Sequence, residues 1–372
     1  MTFDISSLHT PCYVVDKRLI RRNMEILDGV RRRTGAKILL AQKAFSMWSV
    51  YPEMAPYIDG TTSSGLYEAR LGREEMPDGQ VHIFSPAYRD DEFDEIASTA
   101  DHIVFNTPAQ YLRFADRTKG ASCAIRVDPE YSEQEHEIYD PCSPLSRLGT
   151  RAADMYVPEG IEGLLFHTLC EQDSDALEHT VQAFNEKFAQ YMEGIRWLDL
   201  GGGHHITKDD YDREGLIELI RYIRTNYGVE VYLEPGEAIA LDAGILITEV
   251  MDIVDTPDMP TLILDASAAC HMPDVLEMPY TPPLLDEAQQ GGVMVRLASR
   301  TCLAGDVIGE YPLPSLPKIG DILTFGDMAI YSMVKNNTFN GMPLPDIVLL
   351  KEDGDYELVK RFGYSDFKER LS

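Results

Sequence analysis

The sequence predicts an α/β fold, a (β/α)8 barrel of the TIM type joined to a second, mostly antiparallel β domain. Short apolar runs alternate with longer amphipathic stretches between about Cys12 and Gly236, as in repeated strand and helix units around a parallel sheet. From about Ala240 the pattern changes to β-branched runs separated by turns. A chain of 372 residues is long enough for two domains. We therefore expect a barrel domain at residues 12–240 and a β domain at residues 241–372, completed by residues 1–11.

The first predicted elements are a short strand and a long helix. The strand is the apolar run Cys12–Val15, and Asp16 can cap a helix that continues through Arg33. Eight apolar runs follow, which is the number of strands that closes a parallel barrel. They are Lys37–Gln42, Tyr57–Thr62, Val81–Ser85, His102–Asn106, Ala124–Asp128, Gly163–His167, Trp197–Leu200 and Val231–Glu234.

Polar residues and glycines stand at the carboxyl ends of these runs. In a parallel barrel those strand ends meet at one mouth, where catalytic groups lie. A doubly wound sheet would gather a site at only one switch point, so the spread of these residues over many strands favours the barrel. The residues are Lys43, Asn106, Asp128, His167, Gly201–Gly203 and Glu234.

The predicted β domain contains six strands. Prolines punctuate the segments between them, and we interpret the proline-containing stretch Tyr311–Pro314 as a loop. The predicted strands are Gly244–Val254, Thr261–Asp265, Val293–Ser299, Asp321–Phe325, Asp346–Leu350 and Tyr356–Arg361.

Charge and cysteine pattern argue against several classes of protein. A formal net charge of -29 disfavours nucleic acid or an anionic membrane as partner, and it would attract small cationic molecules. The six cysteines form no CxxC pair, so neither a metal site nor a disulfide framework is predicted. Because the sequence contains no bilayer-length apolar stretch and its start lacks secretion features, we expect a cytoplasmic location.

Pyridoxal phosphate needs an amine that forms an imine, a phosphate cradle, a partner for its ring nitrogen and a residue that covers its ring. Lys43 could supply the amine, although a lysine that ends a strand is also commonly a solvated side chain. Gly201–Gly203 could present backbone N–H groups to phosphate or form an ordinary tight turn. Glu234 could keep the ring nitrogen protonated, and His167 could cover the ring. The alternatives are a surface glutamate before a Pro-Gly turn and a core histidine.

Five motifs, in this order, resemble the alanine-racemase-like barrel class of pyridoxal phosphate decarboxylases, which includes the ornithine, arginine and diaminopimelate decarboxylases. The whole chain resembles the branch of that class that acts on carboxynorspermidine and carboxyspermidine. This resemblance implies decarboxylation of a small cationic carboxylated polyamine to norspermidine or spermidine. The motifs are LLAQKAFS (Leu39 to Ser46), FHTLCE (Phe166 to Glu171), LDLGGGHH (Leu198 to His205), EPGEA (Glu234 to Ala238) and FGDMAIYSMVKNNTFNG (Phe325 to Gly341).

The resemblance also implies roles for individual residues. Lys43 would form the imine with the cofactor, His167 would stack on its ring and Glu234 would pair with its ring nitrogen. Further cofactor contacts would come from Arg147, Gly202, Gly203, Gly236 and Tyr331.

Cys302 matches a cysteine that family members present to the cofactor of the neighbouring subunit. By residue type alone it would be a buried thiol, since free cysteine is among the most buried residues. The resemblance therefore implies a catalytic Cys302 and a homodimer whose active sites are shared between subunits.

The sequence departs from the family pattern at Glu237, where ornithine and diaminopimelate decarboxylases typically have a phosphate-binding arginine. An added carboxylate suits a substrate with more amines, because each buried ammonium needs a partner. We therefore expect Glu237, Asp274 and Asp306 to bind substrate, although exposed loop aspartates are equally compatible with the last two.

Three other functions share parts of this pattern. A racemase needs a cofactor ring that is a poor electron sink, and it needs a second base. Glu234 argues against this function, because a carboxylate at the ring nitrogen makes the ring a strong electron sink. A decarboxylase of another diamino acid, such as diaminopimelate, would use the same barrel and cofactor. A non-catalytic cofactor-binding regulatory relative would be expected to lose cofactor groups that this chain retains.

Overall fold

The computed structural model describes residues 7–134 and 137–372. These residues form two compact units. Arg21–Ile239 makes up the barrel unit, and Ala240–Ser372 makes up the sheet unit together with the N-terminal segment that ends at Ile20. Residues 1–6 of the predicted β domain lie outside the described residues.

The barrel unit contains a closed barrel of eight parallel strands, as the sequence predicts. One predicted boundary is wrong, because Tyr57 lies in a turn, donating its N–H to the carbonyl of Met54 (2.9 Å). Numbered after β1 (Cys12–Asp16), the barrel strands are β2 (Lys37–Ala41), β3 (Gly60–Ser63), β4 (Gln80–Phe84), β5 (His102–Phe105), β6 (Ser122–Arg126), β7 (Ile161–Leu165), β8 (Trp197–Asp199) and β9 (Glu230–Leu233).

Helices follow most barrel strands, and several begin at a side chain that caps their free backbone N–H groups. Thr107 and Asp212 accept hydrogen bonds from the N–H groups of Gln110 and Gly215. The helices, from the segment before the barrel to its end, are α1 (Lys17–Thr34), α2 (Tyr51–Met54), α3 (Leu66–Glu75), α4 (Phe93–Thr99), α5 (Pro108–Phe114), α6 (Ser174–Phe188), α7 (Arg213–Tyr227) and α8 (Glu237–Ala240).

Buried side chains fill the barrel interior. Leu39, Val104, Ala124, Leu165, Trp197 and Tyr232 form one apolar cluster. Two buried histidines also lie inside, His82 on β4 and His102 on β5, with their ring centroids 4.0 Å apart. The interior is therefore a packed core with a polar component, and its open end lies where the strands finish.

The sheet unit is an eight-stranded sheet, and five of the seven strand pairings among its described residues are antiparallel. Four short helices accompany it: α9 (Ala268–His271), α10 (Asp274–Glu277), α11 (Ser332–Lys335) and α12 (Tyr364–Lys368). Besides β1, its strands are β10 (Gly244–Val254), β11 (Thr261–Leu264), β12 (Val293–Ser299), β13 (Val307–Leu313), β14 (Ile322–Phe325), β15 (Asp346–Leu350) and β16 (Tyr356–Lys360).

Strand β1 belongs to this sheet and not to the predicted barrel domain at residues 12–240. It lies between β10, to which it runs antiparallel, and β15, to which it runs parallel. A continuous apolar run fits any strand that is buried on both faces, so the run alone could not assign β1 to a sheet.

Strand β13 was missed because Pro312 and Pro314 made its end resemble a loop. It is an edge strand of the sheet, and among the described residues its one partner is β12. An edge position tolerates proline, because a strand there needs hydrogen-bond donors on one side only. In the described part of the chain, no helix is long and apolar enough to cross a membrane.

Candidate active site

A pocket in the barrel unit opens where the barrel strands end, and it brings together three of the predicted site residues. Lys43, His167 and Glu234 all line it. They lie just after β2, β7 and β9, so strands distant in sequence deliver them to one place. The remaining lining residues are Ala41, Thr62, Ser63, Ser64, Phe84, Arg126 and Leu165.

Lys43 is held by a tight turn at the end of β2. The N–H of Ala44 donates to the carbonyl of Ala41 (3.1 Å), which directs the intervening side chain out of the strand. The side chain is open to the pocket, but the concave surroundings remove much of its hydration. This desolvation lowers the pKa of the Lys43 amine, and the charge of Arg126 lowers it further against the opposing pull of Glu234. A larger fraction of the amine is therefore neutral and able to attack a carbonyl carbon.

Glu234 follows β9, and its backbone N–H donates to the carbonyl of Gly201 (2.8 Å). Burial raises the pKa of its carboxyl, and this effect outweighs a hydrogen bond from Thr62 and the positive charge of Lys43, which both lower the pKa. The carboxyl group is thus partly desolvated but faces a cation and a hydroxyl that stabilise its anionic form.

His167 is oriented by the glycine loop, Gly201–Gly203. Its Nδ1 accepts a hydrogen bond from the N–H of Gly202 (2.9 Å). Burial lowers the pKa of the imidazole well below its usual range, and the charges of Lys43 and Arg126 act in the same direction. The ring is therefore neutral, with its proton on Nε2.

The glycine loop requires residues without side chains. A Cβ atom on Gly202 would lie 2.0 Å from the carbonyl oxygen of Glu234, and Gly203 has a φ of +86°. Gly236 is also tightly placed, since a Cβ there would lie 2.9 Å from that of Ala44. The loop therefore packs directly against the segment that carries Glu234, and that segment packs at Gly236 against the turn that carries Lys43.

Arg126 is a pocket residue that the sequence analysis missed. It ends β6 and is 5% exposed. One guanidinium nitrogen donates to the carbonyl of His167 (3.0 Å), and the guanidinium carbon lies 4.6 Å from the ring centre of Phe84. Burial lowers the pKa of this side chain to about 10. An arginine that closes an apolar run is itself a signal, because such a charge needs a buried partner.

Asp199 is a second missed residue, at the last position of β8. It is fully buried, and its Oδ1 accepts the N–H of Gly201 (2.8 Å). Its carboxyl group lies beside that of Glu234. The aspartate inside the run Trp197–Leu200 was a visible signal, for the same reason as Arg126.

Arg147 is exposed in the loop after β6. Its carbonyl accepts a hydrogen bond from the side chain of Asn106 (2.9 Å), which also accepts the N–H of Gly149 (2.7 Å). The positive charge of Arg147 contributes to the lowered pKa of Arg126, so the two guanidinium groups lie in the same electrostatic environment. Asn106 therefore fixes the backbone of the loop that carries Arg147.

Glu237 is paired with His205, the residue two positions after the glycine loop. The His205 Nε2 and a Glu237 oxygen are 2.8 Å apart, and both side chains are largely buried. Burial lowers the pKa of His205, but the hydrogen bond and the charge of Glu237 outweigh it, so the net shift is upward. Any role of Glu237 in substrate binding, as predicted from the sequence, would involve this pair.

Cys302 and Tyr331 lie in the sheet unit. Cys302 is exposed, and its backbone N–H and its Sγ both lie within hydrogen-bonding distance of the Asn340 side-chain oxygen, at 3.2 and 2.9 Å. Its exposure contradicts the buried thiol that residue type alone suggests. Tyr331 immediately precedes α11 and has a φ of 49°.

The predicted substrate ligands Asp274 and Asp306 also lie in the sheet unit, in different environments. Asp274 forms an ion pair with Lys335, which also contacts Glu277. Asp306 is 2% exposed and accepts hydrogen bonds from the Ser267 hydroxyl (2.7 Å), the Ala269 N–H (3.1 Å) and the Thr301 hydroxyl (2.6 Å). The Asp306 carboxylate therefore joins α9 to the Cys302 loop, and its predicted role in binding substrate stays a prediction.

Comparison with known proteins gives a consistent result. Residues 12–329 match the family model described as "Pyridoxal-dependent decarboxylase, C-terminal sheet domain". The chain is 41% identical to a carboxynorspermidine/carboxyspermidine decarboxylase of Campylobacter jejuni, over 98% of each sequence. It is 38% identical to a carboxyaminopropylagmatine decarboxylase of a Synechocystis species, over 99% of this chain and 96% of the relative.

Solved structures agree with these matches. A carboxynorspermidine decarboxylase from Campylobacter jejuni, complexed with norspermidine, has a TM-score of 0.91 at 40% identity and covers 98% of this chain and 100% of its own. A diaminopimelate decarboxylase structure shares the fold, with a TM-score of 0.84 at 19% identity over 97% of this chain and 93% of its own. The pocket at the strand ends, the glycine loop and these likenesses lead to one conclusion: the chain belongs to the pyridoxal-dependent decarboxylase family.

Proposed function

We propose that this protein decarboxylates carboxynorspermidine and carboxyspermidine, giving norspermidine and spermidine, with pyridoxal phosphate as cofactor. The observation that carries the proposal is the convergence of Lys43, His167 and Glu234 on one pocket. Near-full-length identity of 41% to a decarboxylase of these substrates supports the choice of substrate.

The residues of the pocket fit the cofactor. When bound, pyridoxal phosphate supplies an aldehyde that links to amines and a ring that accepts the electron pair left by departing carbon dioxide. The lowered pKa of Lys43 suits an amine that bonds to that aldehyde. The glycine loop offers backbone N–H groups to phosphate, and Glu234 offers a carboxylate to a protonated ring nitrogen.

Each residue then has a definite task. Lys43 would hold the cofactor through its amine, the neutral His167 ring would cover one face of the cofactor ring, and Glu234 would keep the ring nitrogen charged. Cys302 or a water molecule would supply the proton that the substrate carbon takes up in place of carbon dioxide. Phosphate would be held by Gly202, Gly203 and Tyr331. Gly236 would allow the backbone to approach the cofactor closely, and Arg147 would support the site.

In this proposal, carboxylates bind the amines of the substrate. Glu237 and Asp274 are the candidates, and each already partners a basic side chain, His205 and Lys335 respectively. A substrate ammonium would replace or join that side chain without leaving an unpaired buried charge. The net charge of -29 favours the approach of such a cationic substrate.

We also propose a homodimer in which Cys302 of one subunit completes the site that contains Lys43 of the other. Support comes from the exposure of Cys302 in the single chain. If Lys43→Ala and Cys302→Ala proteins are each inactive alone, mixing them should restore about a quarter of wild-type activity, because random exchange gives one intact site in half of the dimers. No recovery after verified subunit exchange would refute the shared site.

A second substrate has specific support, because the 38% identical relative acts on carboxyaminopropylagmatine. The test is carbon dioxide release from carboxynorspermidine, carboxyspermidine, carboxyaminopropylagmatine and diaminopimelate, each with wild-type and Lys43→Ala protein. We expect the highest kcat/KM for the first two. A higher value for either of the others would change the assigned substrate, and inversion of stereochemistry without gas release would identify a racemase.

A further inference from the structure

Two carboxyl groups lie close together in the barrel unit, that of Asp199 and that of Glu234, which lines the pocket. One oxygen of each, together with a ring nitrogen of His82, falls within a mutual distance of 4.8 Å. Asp199 and His82 are both fully buried. Two carboxylates this close cannot both stay ionised at little cost, so one proton is shared between them or held by one of them.

The surroundings decide which carboxyl holds the proton. Glu234 faces a hydrogen bond from Thr62 and the positive charges of Lys43 and Arg126, all of which favour its anion. Asp199 has one such contact, the N–H of Gly201 at 2.8 Å on its Oδ1. Its anion is therefore the less stabilised of the two.

The second oxygen of Asp199 gives independent evidence. Among the described residues, no donor reaches its Oδ2, which is fully removed from solvent. An ionised carboxylate with a bare buried oxygen would lose its hydration without replacement. A protonated carboxyl needs no donor at that oxygen, because its hydroxyl is itself a donor, and Glu234 is the adjacent acceptor.

The basic side chain beside Asp199, that of His82, does not provide a compensating cation. Burial lowers the pKa of His82 well below its usual range, and the neighbouring His102 lowers it further. The two imidazoles are stacked with centroids 4.0 Å apart, and neither ring nitrogen of His82 has a hydrogen-bond partner within the described chain. His82 is thus a neutral side chain beside the two carboxyl groups.

We propose that Asp199 is a protonated positioning residue, whose Oδ2 hydroxyl donates a hydrogen bond to the Glu234 carboxylate while its Oδ1 accepts the Gly201 N–H. This inference deepens the proposed function, since Glu234 is taken to face the cofactor ring. Asp199 joins the glycine loop to Glu234, so it aligns the two ends of the cofactor site. It also leaves the negative charge on Glu234, the carboxylate whose charge acts on Lys43.

The substitution Asp199→Asn distinguishes a protonated Asp199, which donates a hydrogen bond, from an ionised Asp199. In Asp199→Asn the side-chain oxygen can still accept the Gly201 N–H, and the amide nitrogen can donate to Glu234 as the hydroxyl did. We expect kcat and cofactor Kd to change by less than about threefold in this variant. Asp199→Ala loses both contacts, so kcat should fall about 10- to 100-fold and cofactor binding should weaken.

A buried anion elsewhere in the barrel provides the matched control. Asp128 is 3% exposed, accepts the Glu130 N–H at 2.7 Å and lies 3.5 Å from the guanidinium of Arg151. Asp128→Asn removes a charge from an ion pair, so it should lower the thermal unfolding midpoint more than Asp199→Asn does.

Infrared difference spectroscopy provides a readout that does not depend on turnover or substrate. The wild-type protein should show the C=O stretch of a buried protonated carboxyl at neutral pH, and Asp199→Asn should remove it. Absence of that band, or an Asn variant as impaired as Ala in cofactor Kd and absorption spectrum, would overturn the inference. Loss of the predicted substrate activity with the band intact would refute the proposed function alone.

Discussion

The Nδ1 atom of His167 accepts the backbone N–H of Gly202 over 2.9 Å. This contact sets the tautomer of a neutral imidazole and ties its orientation to the glycine loop. Because the same loop accepts the Glu234 N–H through Gly201 (2.8 Å), the ring-covering residue, the loop and the ring-nitrogen partner are held as one backbone-bonded group. A change at any one of them should therefore disturb the others.

Gly202→Ala tests this coupling. The added Cβ would lie 2.0 Å from the carbonyl oxygen of Glu234, so the loop or the strand end must move. We expect cofactor Kd to rise at least about tenfold and the protein to lose about 2 kcal/mol or more of stability. Fluorescence titration with pyridoxal phosphate and urea unfolding would measure these effects.

Gly29→Ala is the control for that substitution. Gly29 lies in α1, and nothing lies within 4 Å of the position its Cβ would occupy. Alanine favours a helix interior by about 1 kcal/mol over glycine, so this variant should be as stable as wild type or more so. Equal loss of cofactor affinity in both variants would mean that the close approach of Gly202 to Glu234 is irrelevant.

Lys43 should be the residue to which the cofactor becomes linked. Borohydride reduction followed by peptide mass mapping should place the label on Lys43, and Lys43→Ala should lose decarboxylation by about a thousandfold or more. Lys37→Ala is the matched control, because Lys37 lies at the other end of β2 and pairs with Asp59 at 3.3 Å. Label on Lys37, or none on Lys43, contradicts the assignment.

The pKa of His102 should make stability depend on pH. Burial lowers the pKa of this imidazole from 6.5 to about 4 in the folded protein. Between those values the unfolded chain binds the proton and the folded chain does not, so stability rises with pH. One such group contributes up to about 1.4 kcal/mol per pH unit.

His102→Phe keeps a ring in the barrel interior but cannot titrate. The difference in unfolding free energy between wild type and this variant should therefore shift in favour of wild type as pH rises from 4 to 6.5. Above that range the difference should be flat, since neither state takes up a proton. A difference independent of pH over the whole range would show that His102 is not buried as a neutral ring.

The interaction with Glu237 raises the pKa of His205, whereas burial lowers that of His102. Because the interaction with Glu237 raises the pKa of His205, its stabilising effect is present below the unfolded-state value of 6.5 and is lost as pH rises through the folded-state value. Glu237→Gln should lower the pKa of His205, measured by NMR titration. Glu133→Gln removes the partner of the exposed His179 and should leave His205 unchanged.

Much of this architecture was predictable because it is encoded locally. Apolar runs and strand polarity were sufficient to predict the eight barrel strands and the convergence of Lys43, His167 and Glu234. The sheet to which β1 belongs was not predictable, since its run is apolar enough for either unit. Strand β13 was not predictable because it contains Pro312. A strand tolerates this proline only at the edge of a sheet, and the edge position is a property of the assembled sheet.

The partners of the buried polar groups also could not be predicted from the sequence. Arg126 and Asp199 stand in apolar runs, and their partners come from other strands that only the closed barrel brings near. Asp306 resembled an exposed loop carboxylate, because the hydroxyls of Ser267 and Thr301 that enclose it lie in separate segments of the chain.

Asp306 should consequently act on stability, not on substrate affinity. Asp306→Ala leaves two hydroxyls and a backbone N–H without their shared acceptor, so we expect a loss of about 2 to 4 kcal/mol in the free energy of unfolding. Asp258→Ala, at an exposed position of the same unit, should change it by no more than about 0.5 kcal/mol. Urea unfolding measures both, and steady-state kinetics on the folded fraction should show an unchanged KM for Asp306→Ala. A raised KM with unaltered stability would instead support a role of Asp306 in binding substrate.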